Sequence, residues 1–129
     1  STIKFDNPAS IFQTSSTVGK KEGEGPLCDD FDLVLKDDYY EEDSWEKAES
    51  KLQSETAKRT LKKANISQEN AIFIGDSDVD LQTGFNANLE VIGVSWGFKG
   101  YEFLKQQGAK YIAQTTSELY EHIATITNK

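Results

Sequence analysis

The pattern of apolar and polar positions divides the chain near residue 70. Downstream, short apolar runs alternate with amphipathic stretches. "AIFIG" (71–75), "EVIGVSW" (90–96) and "KYIAQ" (110–114) are predicted as buried strands. "VDLQTGFNA" (79–87), "GYEFLKQQG" (100–108) and "SELYEHIATI" (117–126) are predicted as helices. Gly108 closes the second of these. Ser117 is the expected cap of the third, with Leu119, Tyr120 and Ile123 as its apolar stripe. Strands alternating with helices over short loops imply right-handed crossovers and a parallel sheet covered on both faces. The expected fold class is α/β, a three-layer, Rossmann-like or flavodoxin-like single domain. Its mostly parallel sheet should have about four or five strands, and the pattern leaves their order open.

Upstream the pattern is looser. "ASIFQTSS" reads as a short strand around Ile11 and Phe12, and "VGKKEGEGPL" as a flexible charged loop. "FDLVL" reads as a strand or a helical turn, and the acid run "KDDYYEED" as a solvated loop. Residues 44–65 read as one long helix, with Asp43 and Glu46 giving a start like a capping box. Trp45, Ala48 and Leu52 share one helical face, whereas Ala57, Leu61 and Ala64 share another. Either two partners cover this helix or it is kinked.

Composition narrows the function classes. The chain has 129 residues and a formal net charge of -8, so no cationic surface is expected to bind nucleic acid. No apolar run reaches the roughly 18 residues of a membrane span. One cysteine, Cys28, excludes an internal disulfide, and a reducing cytoplasm is the expected location. Asp29 and Asp30 beside it disfavour the thiolate, so no cysteine nucleophile is expected. The chain begins at Ser1 and contains no methionine, which suggests a processed or engineered start. His122 reads as a surface histidine, and Trp45 and Trp96 as core or site-wall residues.

The candidate chemistry lies in "AIFIGDSDVDLQTG" (71–84). Magnesium takes hard oxygen ligands and keeps several waters, so one or two carboxylates suffice. Asp76 follows the strand and a glycine, where its side chain leaves the sheet edge. Asp80 lies about one helical turn later and returns to the same side, where it can orient Asp76 or a bound water. Asp78 is expected to point elsewhere. The alternative is an ordinary helix start, with acids in the first turn favouring the dipole. Sites of parallel sheets gather at strand carboxyl ends, so Asp76, Ser95 and Trp96 are expected on one rim.

Residues 67–126, through "GDSDVD", "GVSWGF" and "GAKYIAQTTSELYEHI", resemble the C-terminal third of haloacid-dehalogenase-like phosphatases, especially the phosphoglycolate phosphatase type. The resemblance implies a magnesium-dependent phosphomonoesterase acting on a phosphorylated small molecule through an aspartyl-phosphate intermediate. By that match Asp76 would be the metal ligand, Asp80 its supporting acid, Asp6 the nucleophile and Lys51 the phosphate-binding lysine. The chain departs from the family upstream. In "IKFDNPAS" Pro8 occupies the place of the second acid, the prolines that follow the family's lysine are missing after Lys51, and the distance from Asp6 to Lys51 is too short for the intervening elements.

Residues 3–66 resemble a different family. "VGKKEGEGPL" and "SWEKAESKL" are similar to the opening of stage V sporulation protein AD, a thiolase-like protein. That resemblance implies a role in spore-core accumulation of dipicolinic acid through small-molecule binding, and it makes Lys51 an ordinary helix-surface lysine. The chain is therefore read as a mosaic, natural or engineered: a thiolase-like 1–66 segment joined to a phosphatase-like 67–129 segment. The expected function is an α/β domain without complete catalytic machinery that retains a vestigial magnesium pair, Asp76 and Asp80. The alternatives are an active phosphomonoesterase and a small-molecule-binding module. Surfaces left bare at the join suggest a homodimer.

Overall fold

The structure, a computed structural model, describes residues 4, 6–37 and 39–128. In chain order it contains β1 (Thr17–Val18), α1 (Lys20–Gly23), β2 (Leu33–Val34), α2 (Trp45–Ala64), β3 (Ile72–Gly75), α3 (Asp78–Asn86), β4 (Glu90–Val94), α4 (Tyr101–Gln106), β5 (Tyr111–Ala113) and α5 (Thr116–Thr127).

Residues 72–113 make a parallel three-stranded sheet in the order β3-β4-β5. Its register aligns Phe73 with Val91 and Gly93 with Ile112. In-register residues share a sheet face, so Phe73, Val91, Gly93 and Ile112 line one side. Leu81 of α3 and Leu104 of α4 bury against that side, with Phe103 and Ala109 beside them. Gly84 is where α3 meets the sheet: a Cβ there would strike the Val91 side chain and lie 3.2 Å from Phe73 Cβ. The other side presents Ile72, Ile74, Ile92 and Ala113. α5 covers part of it, with Ile123 and Ile126 lining a cleft alongside Ile72 and Ile74. This is the expected three-layer α/β arrangement, and the short βα connections place both crossover helices on one face.

The upstream half departs from the expectation in two respects. Among the described residues the five strands form two sheets rather than one, because β1 pairs in parallel with β2 and not with the large sheet. The strand expected at Ile11 and Phe12 is absent, and both side chains are exposed. Pairing begins at Thr17 instead, where side-chain bonds pin the ladder's entry. Ser16 N–H donates to Asp32 Oδ2 at 2.8 Å, and Asp32 N–H donates to Ser16 Oγ at 3.1 Å. The segment read as a flexible loop contains the single turn α1.

α2 is one uninterrupted helix of 20 residues, and two partners account for its two faces. On one face Ala48, Ser50 and Ser54 are buried. Asn86 Nδ2 donates to Ser50 Oγ at 3.2 Å, and Thr83 Oγ1 donates to Gln53 at 3.3 Å, tying α3 to α2. On the other face Arg59 donates to Thr17 Oγ1 at 2.9 Å, and Lys63 pairs with Asp32 at 3.0 Å. α2 thus joins the small sheet to the large one. Ser44, not Asp43, caps α2, with its Oγ accepting the Lys47 N–H. Asn65 ends the helix in the left-handed conformation, φ 55°. Trp45 is no core residue: it is 58% exposed and lies against Tyr39, with ring centroids 4.3 Å apart. Thr115, not Ser117, caps α5, accepting the Glu118 N–H at 3.2 Å.

Candidate functional site

The carboxyl ends of β3 and β4 carry two loops that meet at Asp76. Ser77 caps α3 in a reciprocal capping box with Asp80. Asp80 N–H donates to Ser77 Oγ, while Asp80 Oδ2 accepts from the N–H groups of Asp76 and Ser77 at 3.0 and 3.1 Å and from Ser77 Oγ at 2.7 Å. Asp80 therefore acts on Asp76 through the backbone. It fixes the peptide from which the Asp76 side chain departs. Gly75 makes room for this: a Cβ there would collide with the Asp80 side chain, lying 2.5 Å from its Cγ and 2.8 Å from its Oδ2.

Asp76 itself is half-buried. Its Oδ2 accepts the Phe98 N–H at 2.7 Å, and its main-chain oxygen accepts the Lys99 N–H at 3.0 Å. Among the described residues, no hydrogen-bond donor is assigned to Oδ1. Asp78 is exposed and turned away, as expected. Ser95 lies on the same rim but spends its donors on Ala113: its N–H and Oγ both reach that carbonyl, at 2.9 and 3.3 Å. Trp96 is exposed on the loop rather than buried.

The donor set of the rim would suit a magnesium ion only in part. Asp76 would offer it one hard oxygen, Oδ1, on a carboxylate oriented by the Phe98 amide, and such ions are held by one or two carboxylates with water in the remaining positions. Asp80 supports it from behind. Among the described residues, no group of three or more His, Cys, Asp or Glu side chains is arranged to hold a metal. Asp6, exposed in an N-terminal bend, thus forms no such group with Asp76 and Asp80.

Lys51 sits on α2 with its ammonium held by the acidic loop. It donates to the Tyr40 carbonyl at 2.8 Å, pairs with Glu42 at 3.2 Å and lies 4.6 Å above the Tyr40 ring. The run at 37–43 is thus partly a partner for Lys51 rather than wholly a solvated face. A cleft of about 660 Å³ runs between α2 and α3. Lys51, Lys58, Glu42 and Asp78 line it, but neither Asp76 nor Asp80 does. This cleft and the acid rim are therefore separate places. Within the cleft Lys51 and Lys58 are already paired with acids.

His122 is half-buried, not a surface residue. Its Nε2 lies 3.2 Å from the Ile112 carbonyl oxygen, and its ring lies 5.5 Å from that of Tyr111. Cys28 is half-buried beside Asp29. The residues that sequence reasoning missed are Gly97 and Phe98, which seat the Asp76 carboxylate. The glycine in "SWGFKG" was the available signal.

Comparison with known proteins finds two likenesses. A family model described as stage V sporulation protein AD (SpoVAD) matches residues 1–90. Among curated proteins, pyrophosphatase PpaX of Listeria welshimeri is 34% identical over 70 residues, 54% of this chain and 32% of the relative. PpaX of Listeria monocytogenes matches to the same extent. The chain spans about a third of the length of these curated relatives. Among solved structures, a predicted phosphatase from Clostridium acetobutylicum aligns with a TM-score of 0.51 at 30% identity, over 78% of this chain and 43% of that one. A protein assigned as a phosphoglycolate phosphatase from Lactobacillus delbrueckii subsp. bulgaricus aligns with a TM-score of 0.53 at 25% identity, over 84% and 46% of the two chains. Coverage of 78% exceeds what residues 67–129 can supply, so the phosphatase-like architecture extends upstream of residue 67. The sporulation-family match likewise continues through β3 and α3. The two likenesses overlap on the acid rim.

Proposed function

The chain belongs to the stage V sporulation protein AD family, and from that membership together with its phosphatase-like sheet we propose that it is a composite α/β domain without complete catalytic machinery. It retains the cation-binding end of a haloacid-dehalogenase-like phosphatase site. Asp76 is the ligand, through Oδ1, and Asp80 is the residue that holds it in place. The observation that supports this reading is the Asp76–Asp80 arrangement at the carboxyl end of β3, with Oδ2 already committed to the Phe98 amide. In this reading the domain works in the cytoplasm, and the ion it binds is magnesium. Calorimetric titration with magnesium tests it. Saturable heat is expected from the wild type and not from Asp76→Asn, and equal traces from the two would remove the site.

The rival within the same class is an active phosphomonoesterase with Asp6 as nucleophile, Lys51 as phosphate ligand and Asp76 on magnesium. The sequence and fold shared with phosphatases favour it. It requires Asp6 and Lys51 to leave their present surroundings and converge on Asp76. Turnover of a generic phosphomonoester that disappears in Asp6→Asn would replace the inert reading with this one. A reading of a different class, small-molecule binding of the dipicolinate type, is favoured by the family match over residues 1–90. Equilibrium dialysis against dipicolinate tests it, and non-saturable uptake would exclude it.

A further inference from the structure

The loop after β4 packs directly on the acid rim. Gly97 lies directly on the Asp76 side chain. A Cβ at Gly97 would overlap Asp76 Oδ2 and lie 2.5 Å from both Cβ and Cγ of the aspartate. The Phe98 N–H donates to that same Oδ2 at 2.7 Å, and the Lys99 N–H reaches the Asp76 main-chain oxygen at 3.0 Å. The far side of the loop is also held, since Lys99 Nζ lies 4.6 Å from the Phe98 ring centroid and 4.7 Å from that of Phe103. Two residues of the loop after β4 therefore hold the Asp76 carboxylate, and a third holds its main chain. Gly100, in the same loop, contrasts with this, because a Cβ there would meet nothing within 4 Å.

We propose that Gly97 and Phe98 form a positioning strap for Asp76, in which the bare Cα of Gly97 and the Phe98 amide together hold Oδ2 and leave Oδ1 as the only oxygen the carboxylate offers a cation. This rests on the cation-site reading above, but the strap itself exists without metal. Any side chain at Gly97 displaces the carboxylate, because an aspartate is too short to move its oxygen while keeping its Cβ and Cγ in place. Displacement breaks the Phe98 hydrogen bond and swings Oδ1. Gly97 and Phe98 are thus positioning residues, acting through Asp76 rather than on a ligand.

The test has two arms. The first is amide hydrogen exchange of the metal-free protein. The Phe98 amide bonds the Asp76 side chain rather than main chain, so its protection reports that contact. Protection is expected in the wild type and in Gly100→Ala, and is lost in Gly97→Ala. In Asp76→Ala the Phe98 amide loses protection while Lys99, which bonds main chain, keeps it. A Phe98 amide that exchanges freely in the wild type, or stays protected in Asp76→Ala, overturns the strap. The Asp76→Ala arm does not depend on Gly97→Ala folding.

The second arm is magnesium titration. Gly97→Ala should weaken affinity by about tenfold or more, the usual effect of losing a residue that orients a metal ligand, whereas Gly100→Ala should match the wild type. Equal affinities in Gly97→Ala and Gly100→Ala overturn the strap. A wild type that gives no magnesium heat but keeps a protected Phe98 amide overturns the cation reading and leaves the strap standing.

Discussion

At the scale of single residues, the two acids of the rim are placed by the donors that surround them. Asp80 accepts three hydrogen bonds on one oxygen and Asp76 accepts one from Phe98, so Asp80 is a support and Asp76 the less committed carboxylate. Asp80→Ala would leave the Asp76 and Ser77 amides without their acceptor. We expect it to cost about 1–2 kcal/mol in denaturant unfolding and to weaken magnesium binding as well, whereas Asp78→Ala, on the exposed side, should change neither. Asp32 is a second case. The Ser16 backbone N–H, then the Lys63 ammonium, hold its carboxyl at about 2, below the ordinary 3.8. A carboxylate with a lowered native pKa favours the fold once it is ionised in both states. Wild type should therefore melt above Asp32→Asn at neutral pH. The difference should stay constant down to about pH 4 and vanish as the pH falls toward about 2, which melting curves at a series of pH values would check.

At the scale of elements, capping residues are read correctly only when the backbone shows which residue has left the helix. Ser117 and Thr115 are both good caps by residue type. The extended backbone of Thr115, φ -137°, and its bond to Glu118 N–H decide between them. Thr115→Ala should lower stability by about 1 kcal/mol and Ser117→Ala by much less, as measured by chemical denaturation. The α3–sheet contact gives a larger effect. Gly84→Ala gains helix propensity but drives a methyl into Val91 and against Phe73. The overlap should win, for a net loss of about 1–3 kcal/mol. The interface of α2 with α3 is built from serine, threonine and amide side chains, so a search for apolar stripes does not find it. Small buried residues at Ala48, Ser50 and Ser54 let the two helices approach, and hydrogen bonds satisfy the groups so buried.

At the scale of the whole molecule, the core is small and sits under α3 and α4. Leu104, fully buried against Gly93, anchors it, and Leu104→Ala should cost about 2–5 kcal/mol in equilibrium unfolding. The open side of β3 leaves Ile74 44% exposed. None of the described helices is long and apolar enough to cross a membrane. The sequence by itself determined the βαβαβα order after residue 70, the parallel sheet and the identity of the acid pair. It could do so because strand and helix periods and the glycine–aspartate strand end are local properties of the chain. Only the tertiary structure decided that β1 and β2 form their own sheet, that α2 is unbroken, that Lys51 is bound by the acidic loop and that Asp6 does not join the acid pair. It alone also revealed Gly97 against Asp76. These are contacts between residues far apart in sequence, and backbone pairing, close packing and charge satisfaction choose among partners that the local pattern leaves equal.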